Sequence, residues 1–177
     1  MLLAALPIDG ALVVTPNVFS DDRGAFKETY AVSRYRAAGI VDSFAQDNLS
    51  TSKRGVLRGL HGDPRMAKLV QVLRGSAYDV VVDARPQSPT FRQWHGLTLR
   101  ASEHTQLYIP AGCLHGFLAL EEDTVFFYKQ SAEYDPATEF GVAWNDPELG
   151  IAWPLEGALP ILSPKDAANP TLRERGL

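Results

Sequence analysis

The segment Gly55-Val56-Leu57-Arg58-Gly59-Leu60-His61-Gly62-Asp63 places an arginine and a histidine three residues apart among apolar residues and glycines. Histidine is the side chain whose ordinary pKa lies near neutrality, so His61 is a candidate proton carrier. Arginine presents a fixed fork of donors that matches phosphate oxygens, so Arg58 is a candidate anion contact. The apolar letters read as a β-strand, in which residues three apart point to opposite faces. Both side chains reach one site only if the strand bends or bulges, and Gly59 between them permits that.

The elements that must position such a pair are mostly short strands. Ala11–Thr15 is β-rich and ends at Pro16-Asn17; Lys68–Gly75 alternates until Gly75 closes it. Ala77–Ala84 sets Tyr78, Val80 and Val82 on one face and Asp79, Val81 and Asp83 on the other. Pro86–Pro89 is a turn, Phe91–Leu99 alternates again, and Thr105–Pro110 is a strand ending at a Pro-x-Gly turn. His115–Leu120 and Thr124–Lys129 read as a hairpin across Glu121-Glu122-Asp123. The best helical pattern is Tyr30–Ala38, closed by Gly39. Short strands at a spacing of roughly 8–12 residues indicate an all-β sandwich or barrel. A jelly-roll barrel is expected, because it encloses a cavity where inward polar residues converge.

Bulk properties bound the partners. With 177 residues, 45% of them hydrophobic, residues 1–177 fit one globular domain with a substantial core. A net charge of -4 argues against a nucleic-acid partner but leaves room for a local positive pocket. The single cysteine, Cys113, forms no intramolecular disulfide and suits a reducing cytoplasm. The apolar start MLLAALPIDGALVV has no basic head and is interrupted by Pro7, Asp9 and Gly10. It reads as a first strand, not as a signal peptide or a membrane span. The tail after Trp153 reads as a loose cover.

Ile109-Pro110-Ala111-Gly112-Cys113-Leu114-His115-Gly116-Phe117 is similar to the second half of a cupin motif, in which clustered histidines often hold a metal. The first half would need His-x-His and a following glutamate. The four histidines here (His61, His95, His104, His115) make no His-x-His, and no glutamate lies between His61 and Gly75. A barrel without a bound metal or cofactor is therefore expected.

Taken in order, the motifs resemble the dTDP-4-dehydrorhamnose 3,5-epimerases and their sugar-nucleotide relatives. The resemblance runs from Phe19 to about Pro170. It includes Phe19-SDDRGAFKETY-Tyr30, Gln46-Asp47-Asn48-Leu49-Ser50, Gly55-VLRGLH-His61, Lys68-Leu69-Val70 and Asp79-VVVDARPQSPTF-Phe91. It continues through Ile109-PAGCLHGF-Phe117, Tyr128-KQSAEYDPATEFG-Gly141, Trp144-NDPELGIAWP-Pro154 and Leu162-SPKD-Asp166. The fold it implies is the cupin-like jelly roll, and the substrate a nucleotide-diphospho-4-keto sugar. The reaction it implies is removal of a proton next to a ketone and its return from the other face, which needs a base, an enolate stabiliser and an acid.

By resemblance His61 is the base, Asp166 its orienting partner, Lys68 the enolate stabiliser and Tyr128 the acid. Arg23 and Arg58 match phosphate and nucleotide contacts; Glu28, Gln46 and Asn48 match polar contacts nearby, and Tyr134 an aromatic that stacks on the base. Glu139 and Lys165 match further ligand positions, and His115 orients substrate or supports the site from behind. The N-terminal strand and the Phe26–Glu28 region often come from a neighbouring subunit in this family, which implies a homodimer. Asp83-Ala84-Arg85 and Trp144-Asn145-Asp146-Pro147 read as structural ties at barrel corners.

One stretch departs from the family pattern. Gly62 and Asp63 stand where an aromatic and a glutamine are usual, and the loop to Lys68 is several residues shorter. Asp63 thus borders the expected sugar-nucleotide pocket, and the departure leaves open the nucleotide (dTDP or GDP) and inversion at C3, C5 or both. A metal-dependent cupin oxygenase, a non-catalytic sugar-nucleotide-binding jelly roll and a ketoisomerase are the competing readings.

Overall fold

The computed structural model describes residues 1–177. Pro7–Gly10 splits the first apolar run into two antiparallel strands, β1 (Leu2–Ala5) and β2 (Leu12–Thr15). A hairpin of β3 (Val18–Asp21) and β4 (Gly24–Lys27) follows, then helix α1 (Val32–Ala37). That helix begins two residues later than the expected Tyr30 start, and Gly39 ends it at φ 96. The strands β5 (Gln46–Ser52), β6 (Leu57–Gly62), β7 (Lys68–Arg74), β8 (Ser76–Asp83), β9 (Trp94–Arg100), β10 (Gln106–Ile109), β11 (Cys113–Ala119), β12 (Thr124–Gln130) and β13 (Phe140–Gly141) build the body. Two short helices, α2 (Pro164–Ala167) and α3 (Leu172–Arg175), close the chain. Phe91–Gln93, expected in a strand, belong instead to the turn before β9.

The strands form two antiparallel sheets in the orders β1-β2-β10-β7-β12-β5 and β13-β6-β11-β8-β9, which makes an all-β jelly roll. Alternation along each strand fills the space between the sheets. Val70, Val72 and Phe126 from one sheet pack on Val81, Leu99 and Phe117 from the other. The Phe117 and Phe126 rings stack across the gap with centroids 4.0 Å apart and planes at 3°.

The expected hairpin of β11 and β12 does not form. One edge of β11 is taken by β6 and the other by β8, so β12 crosses to the opposite sheet and pairs with β7 and β5. The Glu121-Glu122-Asp123 link is a crossover between layers. The tail after Trp153 is also more than a loose cover, because its Leu172 is buried in a core, and the segment just ahead of it docks there too. Leu149 and Leu172 pack with Leu60, Val80, Val82 and Leu114 on the outer face of the second sheet. Trp94 Nε1 donates to the Leu149 carbonyl and Trp153 Nε1 to the Trp144 carbonyl, both at 2.8 Å. With a core on both faces, β8 carries the unbroken Val80-Val81-Val82 run.

The two corner motifs are structural. Asp83 accepts from Arg85 at 2.7 Å and from Thr90 at 2.6 Å, and Asp146 accepts the Leu172 amide at 2.7 Å.

Candidate active site

The interior is apolar along most of its depth and polar at one end. The alternation that turns Val70 and Val72 inward also turns Lys68 inward, and the alternation carrying Phe126 inward carries Tyr128 and Gln130. Gln46 and Asn48 face them from the neighbouring strand β5, in register with Gln130 and Tyr128. From the opposite sheet come Arg58, His61 and His115. These side chains, with Tyr134, Glu139, Ser163, Lys165 and Asp166, line one cavity of about 380 Å³. A larger hollow of about 660 Å³ sits at the far end of β11, but it gathers no histidine, lysine or tyrosine.

Arg58 and His61 share this cavity because β6 is bulged. On β11 the ladder partners His115 and Phe117 are two residues apart, while their partners His61 and Arg58 on β6 are three apart. The extra residue restores a common face. Gly59 sits at φ 116, and a Cβ there would lie 2.6 Å from the Gly116 Cα and 2.7 Å from the His115 carbonyl oxygen. Only glycine fits both the angle and the approach.

His61 Nε2 lies 2.6 Å from Asp166 Oδ1. The carboxylate arrives from α2, where Ser163 caps the helix and Pro164 starts it, a local pattern that favours a turn of helix there. Burial pushes the Asp166 carboxyl up, but hydrogen bonds from His61, Ser163 and the Gly59 amide outweigh it and hold it below the usual range. With Nε2 committed to the carboxylate, Nδ1 is the nitrogen left for a proton from outside the pair.

Lys68, 8% exposed, makes only a long contact of 3.4 Å to the His61 carbonyl oxygen. Burial pulls its ammonium down to about 8, against the raising influence of Glu139, Asp79 and Asp63. Burial likewise raises the Tyr128 phenol, with Arg58 opposing. Behind them, His115 Nε2 is 3.0 Å from Asp79 Oδ2, and Asp79 is fully buried. Burial raises the Asp79 carboxyl, against His115 and Lys68.

The rim is built from amides and charges. Gln46 Nε2 donates to Asn48 Oδ1 at 2.9 Å and Asn48 Nδ2 to Gln130 Oε1 at 2.9 Å. Arg58 Nε donates to Ser52 Oγ at 3.1 Å. Lys165 pairs closely with Glu139 and lies 6.0 Å from the Tyr134 ring, and Tyr134, 48% exposed, donates to Glu139 at 3.3 Å.

Asp63 does not line the cavity. Its carboxylate accepts from Thr138 at 2.6 Å and from Arg65 at 3.2 Å, so it ties its own loop to the segment before β13. Gly62 is likewise turned away, and the Phe140 ring fills the space beside it, 2.7 Å from where a Cβ would stand. The shortened loop therefore supplies no residue to the lining of the cavity. Arg23, Phe26 and Glu28 also lie outside the cavity of their own chain. Arg23 pairs with Asp21 at 2.6 Å, Glu28 pairs closely with Arg34, and Phe26 stands 70% exposed on the β3–β4 hairpin.

Asp79, Gln130 and Ser163 are site residues that the motifs did not single out. A charge on the Val81 face of β8 was the signal for Asp79, and Ser-Pro-x-Asp, a capping pattern, was the signal for Ser163. No group of three or more histidine, cysteine or acidic side chains converges as a metal site.

A jelly roll in which an imidazole on one sheet, paired with a carboxylate from α2, faces a phenol and a buried ammonium on the other has the groups that an isomerase moving protons at carbon needs. Residues 5–174 match the family model described as dTDP-4-dehydrorhamnose 3,5-epimerase. The chain belongs to that family, and its substrates are nucleotide-linked 4-keto sugars. It is 48% identical over 169 residues to the dTDP-4-dehydrorhamnose 3,5-epimerase of Pseudomonas aeruginosa, covering 94% of this chain and 93% of that one. It matches the structure of a dTDP-6-deoxy-D-glucose-3,5-epimerase from Legionella pneumophila in complex with dTDP-4-keto-L-rhamnose. That match has a TM-score of 0.93 and 43% identity over 97% of this chain and 93% of the other. It also matches a 3′-monoepimerase from Streptomyces bikiniensis in complex with dTDP-quinovose, with a TM-score of 0.90 and 39% identity over 97% and 90% of the two chains.

Proposed function

We propose that this protein inverts both C3 and C5 of a dTDP-linked 4-keto-6-deoxy sugar, one centre after the other, through enolates. The supporting observation is the placement of His61–Asp166 and of Lys68 with Tyr128 on facing sheets across one cavity. Both carbons flank the C4 ketone, so one base and one acid serve both after the ring shifts.

His61 Nδ1 takes the proton; Asp166 holds the tautomer and the resulting imidazolium. The Lys68 ammonium offsets the charge that builds on the C4 oxygen. Tyr128, a phenol protonated at neutral pH, returns a proton from the other side. His115, fixed by Asp79, borders the same space. Arg58 and Lys165 would meet the diphosphate and Tyr134 would stack on the base, with Gln46, Asn48 and Glu139 as polar contacts. A homodimer is part of the proposal: the β3–β4 hairpin carries Arg23, Phe26 and Glu28 to the partner's cavity. A buried free thiol at Cys113 suits work in the cytoplasm.

The test is incubation of dTDP- and GDP-linked 4-keto-6-deoxy sugars in heavy water, read by mass spectrometry. Two deuterons in the dTDP sugar are expected. One deuteron would give the single-centre reading favoured by the likeness to the 3′-monoepimerase. No deuterium with confirmed binding would overturn the assignment.

A further inference from the structure

We infer that Ser163 is a positioning residue for the base, acting through the Asp166 carboxylate; this rests on the reading of His61–Asp166 as the proton-abstracting pair. The Ser163 hydroxyl does two things at once. It accepts from the Asp166 amide at 3.0 Å, capping α2, and donates to Asp166 Oδ2 at 2.8 Å. The other carboxylate oxygen, Oδ1, is taken by His61 Nε2 at 2.6 Å. The two oxygens therefore have separate donors, and the plane of the carboxylate is set by both. The Asp166 side chain is 6% exposed, so water is a poor substitute for a missing donor.

The serine sits beside the cavity on a segment that is otherwise short of restraints. Helix α2 is a single turn of four residues, too short to hold a fixed side-chain direction by its own backbone bonds. The strand bridge nearest before it is the parallel pairing of Val56 with Ile161. The segment therefore relies on side-chain bonds, and Ser163 supplies the one that reaches the carboxylate from within the segment. Without it, the carboxylate loses one of its donors, protonates more readily, and its grip on the imidazole loosens.

Capping and carboxylate donation are separable by substitution. Ser163→Ala removes both. Ser163→Asp keeps an acceptor for the Asp166 amide but has no proton to give the carboxylate, and Ser163→Thr keeps both functions. The wild type, these three variants and His61→Ala are compared for deuterium uptake into dTDP-4-keto-6-deoxyglucose across the acid range, with thermal unfolding as a check on folding. Ser163→Ala is expected to fold, to lose about 10- to 100-fold in kcat with little change in KM, and to shift its acid limb to higher pH. Ser163→Asp is expected to do no better than Ser163→Ala, and Ser163→Thr to recover most of the rate. Recovery by Ser163→Asp, or an acid limb unmoved in Ser163→Ala, would reduce the serine to a helix cap and overturn the inference. Should His61→Ala keep wild-type exchange, the base assignment fails instead, and the two failures are distinct.

Discussion

In the proposed reaction Tyr128 is the acid: a phenol is protonated at neutrality, and burial raises its pKa further. Tyr128→Phe should therefore separate the two halves of the reaction. Deuterium should still enter the substrate, delivered from the face where His61 took the proton, while inverted product falls by about 10²–10⁴-fold. Mass spectrometry and proton NMR of one reaction mixture read both numbers. In the proposed reaction Lys68 should set the alkaline side. Its pKa is lowered to about 8, so it is charged below that pH and neutral above it. The profile of kcat/KM, which reports the free enzyme, should fall as pH rises through about 8, well below the range of an ordinary lysine. Lys68→Met should abolish that limb and lower the plateau by about 10²–10³-fold. A limb unchanged in Lys68→Met would assign the titration to another group.

The bulge in β6 turns a strand that ought to split Arg58 from His61 into one that presents them together. Gly59→Ala places a methyl 2.6 Å from the Gly116 Cα at a φ that side chains avoid. A loss of about 1–3 kcal/mol is expected from that backbone conformation, read as a lower urea midpoint, together with loss of turnover. The need for a kink at Gly59 was legible, because two functional residue types at odd spacing do not share a face of a flat strand. The strands too were legible from alternation and from turn residues such as Gly75. The partner of each strand was not: β11 and β12 are adjacent in sequence, yet pairing depends on which edges are already filled. Asp63 was misplaced for a similar reason, since its true partners, Arg65 and Thr138, are fixed by a loop closure with no periodic signature. Asp79 was hidden by the opposite effect, a charge that alternation alone directs into a core where charge is uncommon.

At the scale of the molecule, the β3–β4 hairpin is the part that one chain leaves unused. Phe19 and Phe26, paired across the hairpin, are 64% and 70% exposed, an apolar surface that a lone subunit would carry at a cost. In the proposed dimer, burying Phe26 would contribute about 1.5–3 kcal/mol, so Phe26→Asp should shift the protein from dimer to monomer and raise KM for the dTDP sugar. Light scattering after size exclusion, at several concentrations, gives the mass. A wild-type protein that elutes as a monomer would set the exchanged hairpin aside.

His61 and Asp166 meet across 105 residues of sequence. During synthesis the barrel strands emerge from the ribosome with histidine, lysine and tyrosine already made, yet with the imidazole unoriented. In the proposed mechanism the imidazole is oriented only when the segment carrying Asp166 docks on the second sheet, a step that synthesis reaches after every barrel strand is made.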